Sequence, residues 1–305
     1  MSTTVDRESG SEREVEQWTV GNSFLVDVWI TLKRWLRKTR RNPFVLFGAL
    51  ITPILFLVFF TQVFGQITGE ALRRVIGTDV SYVTFLTPAI VILMATEAAG
   101  NSGMGLVEDM DSGMFEKVLA SPTHRGAIFL GKSLSEVVLI IGQTVMTLVL
   151  GYVVLWIDSG GSVGTYIQTG LLGVLGIIAI VIVFSLMFTA FSNIVALVTQ
   201  DAASTGVWVN LLPFPLLFTS SAFLPISVLP EWMQIVATIN PVTYGVDAAR
   251  ALMLGQDVLT VLDVTAFSGI WNTIVPAVVV LGVFDLVLGG IAVFLLRRVS
   301  SSQVS

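Results

Sequence analysis

The 305-residue chain has no cysteine and a single histidine, His124. Disulfides, thiolate metal sites and cysteine nucleophiles are therefore excluded. One imidazole also disfavours a histidine-rich metal site or a Ser-His-Asp relay. Charge is scarce as well: 12% of residues are Asp, Glu, Lys or Arg, against roughly 25% in a soluble domain. A net charge of −5 and a pI near 4.9 argue against nucleic acid as a partner. Apolar residues fill the space, at 54% of the chain with a mean hydropathy of +0.86. The 27 Gly fit the same picture, since Gly is more frequent in transmembrane helices than in soluble ones. Lipid is the main solvent of this protein.

A transmembrane helix needs roughly 20 mostly apolar residues. Six segments qualify, at about 43–64, 80–102, 134–157, 170–193, 206–224 and 274–296. With both termini inside, 13 of the 16 Lys and Arg fall on the inner side, leaving Arg73, Arg74 and Arg250 outside. The positive-inside rule therefore selects a multi-pass protein of the cytoplasmic membrane with both termini cytoplasmic. Residues 1–20 form an acidic tail expected to be disordered, and they lack the apolar core of a secretory signal. Across 21–42, Phe24, Leu25, Val28, Trp29, Leu32, Trp35 and Leu36 recur at helical spacing, with a basic cluster from Lys33. That pattern suits a helix in the membrane interface or one packed on the protein itself. The remaining divisions are a membrane domain over 43–296 and a short inner tail over 297–305.

The stretch "GAIFLGKS" (126–133) satisfies G-x-x-x-x-G-K-[ST] letter for letter. A working P-loop follows a buried strand, and its small residues let backbone N–H groups wrap the phosphates. Here a Pro-containing "EKVLASPTHR" precedes it, and Ala127, Ile128, Phe129 and Leu130 suit a helix entering a membrane. The nucleotide-site reading is set aside.

Two short helices are expected across 226–255, before the last span. The first carries Trp232, Ile235, Val236 and Ile239 at i, i+3, i+4, i+7. Asn240 and Pro241 suit the N-cap and first position of the second, and Gly255 its C′ residue. Asp247 and Arg250 are spaced to pair on its surface. Neither helix can span, so they form a re-entrant pair in the outer leaflet, their backbone groups satisfied internally. Within the spans, Asp285 lies near mid-membrane, where a charge costs at least about 2.5 kcal/mol, with Gln143 as one candidate partner. Glu97, nearer the inner end, is a gate candidate. Gly170, Gly173 and Gly176 offer a close-packing face. Pro213 and Pro215 should bend the fifth span beside Asn210.

The runs "FLTPAIVILM" (85–94), "DMDSGMFEKVLASPTHRGAIFLGKSL" (109–134) and "LPEWMQIVATINPVTYGVDAAR" (229–250) resemble, in register, the permease subunits of ABC type-2 exporters, in particular their daunorubicin-resistance-like branch. Met110, Met114 and Ala89 stand where that family usually has Arg, Thr and Gly. The resemblance implies an all-α polytopic fold of six transmembrane helices, with an N-terminal interfacial amphipathic helix and the re-entrant pair. It implies a transport subunit rather than an enzyme, working as a homodimer in membrane lipid. ATP and Mg would sit on a separate ABC ATPase, with no cofactor in this chain. The loop 103–133 would dock on that ATPase through Asp109, Asp111, Gly113, Met114, Phe115, Glu116, Leu119, Pro122 and Arg125. The outer motif would comprise Trp232, Asn240, Pro241, Tyr244, Asp247 and Arg250. The first, second and fifth spans would line a path for a lipophilic drug, lipid or glycolipid. A proton-coupled secondary transporter using Asp285 and Glu97 is the alternative, although no inverted repeat is evident.

Overall fold

Five of the six apolar segments lie largely on one helix each, and the fifth, 206–224, is split between two short helices and a turn. The structure, a computed structural model, describes residues 23–40, 43–76, 80–112, 125–258, 261 and 266–302, and no β-strand occurs among them. The helices are α1 (Phe24–Arg40), α2 (Pro43–Ile76), α3 (Tyr82–Asp111), α4 (Arg125–Ser159), α5 (Val163–Tyr166), α6 (Gly170–Thr199), α7 (Ala202–Leu211), α8 (Pro213–Phe218), α9 (Glu231–Ile239), α10 (Pro241–Leu254) and α11 (Trp271–Ser302). Four of them contain stretches long and apolar enough to cross a membrane: Tyr82–Glu108, Leu134–Asp158, Gly170–Thr199 and Trp271–Leu296. Two shorter apolar helices, Leu50–Gln66 and Ala202–Phe218, occupy the first and fifth expected positions. The acidic tail lies outside the described residues.

One helix organises the rest. The apolar window of α3 is 89% buried, that of α11 only 6%. Helices α2, α4, α6, α7, α8 and α10 all pack on α3, whereas α11 leans on α6 and α10. Composition explains this centrality. Along α3, Ala89, Ala95, Ala99, Gly100 and Gly103 let neighbouring backbones approach. Two of its buried hydroxyls are satisfied inside the helix, Thr87 Oγ1 donating to Val83 O (2.7 Å) and Thr96 Oγ1 to Ile92 O (2.8 Å). The side chains of α3 are thus largely consumed by packing within one chain. Outward-facing apolar surface lies instead on α2 (Leu55, Phe59) and on α7–α8 (Trp208, Leu211, Phe218).

Local chemistry sets the helix ends. Ser81 caps α3, its hydroxyl accepting from Val83 N (3.3 Å). Gln200 closes α6 in the left-handed region at φ 49°, and Asp201 caps α7 by accepting from Ser204 N (2.7 Å). The Ser204 hydroxyl and then its N–H hold the Asp201 carboxyl below its ordinary range. Pro213 and Pro215 do more than bend the fifth segment. They divide it at Leu212, where Leu216 N reaches Leu212 O only at 3.4 Å. On α6, Gly173 and Gly176 are the close-packing positions. A Cβ on Gly173 would lie 2.9 Å from Leu252 O, and one on Gly176 would lie 2.8 Å from Leu252 Cδ2. Gly170 corrects the expected three-glycine face: nothing lies within 4 Å of where its Cβ would be, and its φ of 63° opens the helix instead.

Helix α1 buries Asp27 and Thr31 where it packs on α4 and α2. Leu25, Val26, Trp29 and Ile30 stay exposed, as do Lys33, Arg34 and Arg37. Protein packing therefore takes Asp27 and Thr31 and part of Val28, Leu32 and Leu36, while Leu25, Val26, Trp29, Ile30 and the basic positions are left outward.

Candidate functional site

Two regions carry the residues singled out from the sequence. The first is the C-terminal end of α3. Asp109 and Asp111 belong to its last turn, with Asp111 exposed, and Ser112 closes the helix by donating its N–H to Glu108 O (3.0 Å). Gly113, Met114, Phe115, Glu116, Leu119 and Pro122 lie outside the described residues. Arg125 begins α4, so "GAIFLGKS" lies wholly within a helix. Its N–H groups past the first turn are committed to backbone carbonyls, which leaves no wrapped loop for a phosphate.

The second region is the α9–α10 hairpin, where the outer-motif residues converge. Asn240 caps α10 as expected, Oδ1 accepting from Val242 N (2.9 Å) with Pro241 at the first turn. Its Nδ2 also reaches across to α8, donating to Leu216 O (2.6 Å) and Thr219 Oγ1 (3.2 Å). One side chain thus caps a helix and ties down the broken fifth segment. Tyr244 donates to Thr238 O (2.7 Å), closing the corner between α9 and α10. Trp232, 61% exposed, stays outside this network with Ile235 and Ile239. Asn240→Ala removes the cap and both cross-links, so we expect a loss of about 2 kcal/mol, the upper end of the cap range. A lowered unfolding midpoint of the purified protein at fixed scan rate would show it.

At the centre lies the Asp247–Arg250 pair. It forms as the spacing predicts but not on a surface: the two side chains are 0% and 3% exposed. Every residue of α10 from Val242 to Leu254 is buried, since α3, α6 and α11 enclose it. Arg250 Nη1 donates to Asp247 Oδ1 (3.0 Å), which also accepts from Ser221 Oγ (2.6 Å). Arg250 Nη2 donates to Ser221 O (3.0 Å) and Ala222 O (3.4 Å), and Nε donates to Phe85 O (3.2 Å). The guanidinium carbon sits 3.7 Å from the centroid of the Phe85 ring. A single cation thus joins α3, the turn after α8, and α10. Tyr82 reinforces the junction by donating to Phe223 O (3.1 Å). Above it Phe60 and Phe223 stack at 4.3 Å, and Phe64 packs against Tyr82. Ser221 and Phe85 escape sequence reasoning because their partner lies far along the chain.

The mid-membrane candidates do not assemble. Asp285 is half-buried on α11, and no hydrogen bond joins it to Gln143 on α4, whose Oε1 is buried without a partner. The expected Gln143–Asp285 pair is therefore corrected: α11 packs mainly on α6 and α10, away from α4. Glu97 is half-buried on α3. Asn210 spends its amide within α7, donating to Gly206 O (2.8 Å), and Pro213 is buried in the break beside it.

An all-helical chain with several membrane-length apolar helices, a buried hub and a cation-pinned hairpin defines a polytopic membrane protein with no nucleotide loop of its own among the described residues. The model of the ABC-2 type transporter family matches residues 26–254, and the chain belongs to that family. It is 26% identical over 265 residues to the putative transport permease ycf38 of Cyanophora paradoxa, covering 87% of each chain. The daunorubicin resistance ABC transporter permease protein DrrB1 of Streptomyces coeruleorubidus is 25% identical over 262 residues, 85% of each chain. The probable doxorubicin resistance ABC transporter permease protein DrrC of Mycobacterium tuberculosis is 25% identical over 238 residues, 78% of this chain and 80% of that one.

Proposed function

We propose that the chain is the membrane permease of an ATP-driven exporter in the cytoplasmic membrane, two copies working with separate ATPase subunits. The observation that carries this reading is the end of α3. The most buried of the membrane-length helices ends in exposed Glu108 and Asp111, directly before the segment that resembles an ATPase-docking loop. A force applied there enters the hub on which six other helices pack. Transport then follows from a shift of packed helices between two arrangements rather than from chemistry within this chain. The cargo is a lipophilic drug, lipid or glycolipid. The names of the drug-resistance relatives and the apolar outward faces of α2 and α7–α8 support that choice. Both termini lie in the cytoplasm, and α1 rests on the lipid headgroups with Lys33, Arg34 and Arg37.

The test is reconstitution with a separate ABC ATPase subunit that co-purifies with this chain. ATP-dependent, vanadate-sensitive transport is expected, and it should be lost when Asp111 and Glu116 are both reversed to Lys. Lys132→Ala should leave it intact, since a P-loop lysine would be indispensable. Transport driven by a proton gradient with no ATPase present, and abolished by Asp285→Asn, would replace this reading with the secondary transporter.

A further inference from the structure

The C-terminal half of α3 is gripped by its neighbours at one place. Ser192, fully buried on α6, donates its hydroxyl to Gly100 O (2.7 Å) and accepts from Gly103 N (3.0 Å). One side chain thereby bridges a turn of α3 from outside. The two backbones touch there: a Cβ on Gly103 would lie 2.4 Å from Ser192 O and 2.7 Å from Ser192 C. On the adjoining flank, a Cβ on Gly100 would lie 2.1 Å from Val209 Cγ1 of α7. The α6–α7 corner that makes this grip is itself braced, Thr199 and Thr205 sharing a hydroxyl hydrogen bond (2.8 Å) beside the Asp201 cap.

The grip lies where α3 is weakest. Gly100, Gly103 and Gly105 fall within six residues of one helix, and each glycine lowers helix stability relative to alanine. An isolated helix with that composition would flex between its buried body and its acidic end. We propose that Ser192 is a positioning residue of the transport cycle. Its hydroxyl splints α3 to α6, so a displacement at Glu108–Asp111 moves α6 and α7 as one body instead of being lost in the glycine-rich turn. The proposal rests on the ATP-driven reading for the source of the displacement, but the splint itself does not depend on it.

The natural absence of cysteine lets two spin labels be placed cleanly, at the exposed positions Glu108 and Val198, in the full chain in lipid nanodiscs. The unmodified junction should give a narrow distance distribution, and Ser192→Ala should broaden it. Ser185→Ala is the control, removing a buried hydroxyl of the same helix that bonds only to Ile182 O (2.9 Å). That variant should leave the distribution unchanged. In the ATPase complex without labels, Ser192→Ala should lower cargo moved per ATP at least about 5-fold, the equivalent of one of the two buried hydrogen bonds it removes. The hydrolysis rate should stay at the unmodified value.

A Ser192→Ala protein with the unmodified distribution and ratio would overturn the proposal. Equal damage from Ser185→Ala would overturn it too, since any lost hydroxyl would then do. Failure of Ser192→Ala to fold also contradicts it, because the hydroxyl is assigned to motion rather than stability. Absence of any ATP-driven transport would remove the proposed function while the label distances still decide the splint.

Discussion

Asp247→Ala is expected to destabilise the protein by about 3–5 kcal/mol, the cost of breaking one half of a buried pair. The magnitude follows from what remains. Arg250 is 3% exposed and cannot escape by losing its proton. Its guanidinium would keep the carbonyls of Phe85, Ser221 and Ala222 and the Phe85 ring, none of which carries a formal charge. Ser221 Oγ would also lose its acceptor in a dry site. Asp247→Asn keeps an oxygen for both donors and should cost about half as much, because hydrogen bonds to a neutral acceptor are roughly half as strong as to a charged one. Joint replacement with apolar residues, Asp247→Leu with Arg250→Met, should recover part of the loss. Recovery stays incomplete because Arg250 also ties three segments together. The measurement is the apparent unfolding midpoint at one fixed scan rate, since multi-span proteins often unfold irreversibly. An Asp247→Ala midpoint equal to that of the unmodified protein would refute the account of the junction.

The buried position of this pair shows where sequence reasoning reached and where it stopped. Caps and breaks were legible because they are local. Asn240-Pro241 before α10 and Gly255 after it are set by side chains within a few residues of the bond they make. Helix existence was legible because apolar runs of this length have few alternatives in lipid. The face on which Asp247 and Arg250 fall was not, since spacing fixes their pairing but not which helices close over them. Likewise, an acid and an amide at similar depth suggest a Gln143–Asp285 bond, but only the arrangement of helices puts α4 and α11 apart. "GAIFLGKS" marks the opposite limit. A pattern met letter for letter made no phosphate loop, because those residues lie on a helix. Much of the expected docking segment, Gly113 to Pro122, lies outside the described residues, so the site is built from its flank on α3.

Gly103→Ala is expected to disable transport, although alanine is the better helix former. Propensity alone favours the change by about 1 kcal/mol. Against it stands a contact with backbone, which has no rotamer to swing away. The added Cβ would lie 2.4 Å from Ser192 O, and reaching a tolerable 3.0 Å requires α3 and α6 to part by at least 0.6 Å. Parting by that amount along the contact stretches the Gly103 N–Ser192 Oγ bond from 3.0 Å to about 3.6 Å, beyond a hydrogen bond. Overpacking costs about 1–3 kcal/mol, and the lost bond adds about 1, so the clash outweighs the propensity gain. Gly142 and Gly282 supply the contrast, since nothing lies within 4 Å of where their Cβ atoms would be. Alanine at either should be neutral or stabilising by the same propensity argument. We therefore expect vesicles carrying Gly103→Ala to lose most cargo movement while Gly142→Ala and Gly282→Ala retain it. Equal transport by all three would mean that the α3–α6 contact opens without consequence, and that the small residues of α3 serve some purpose other than close approach.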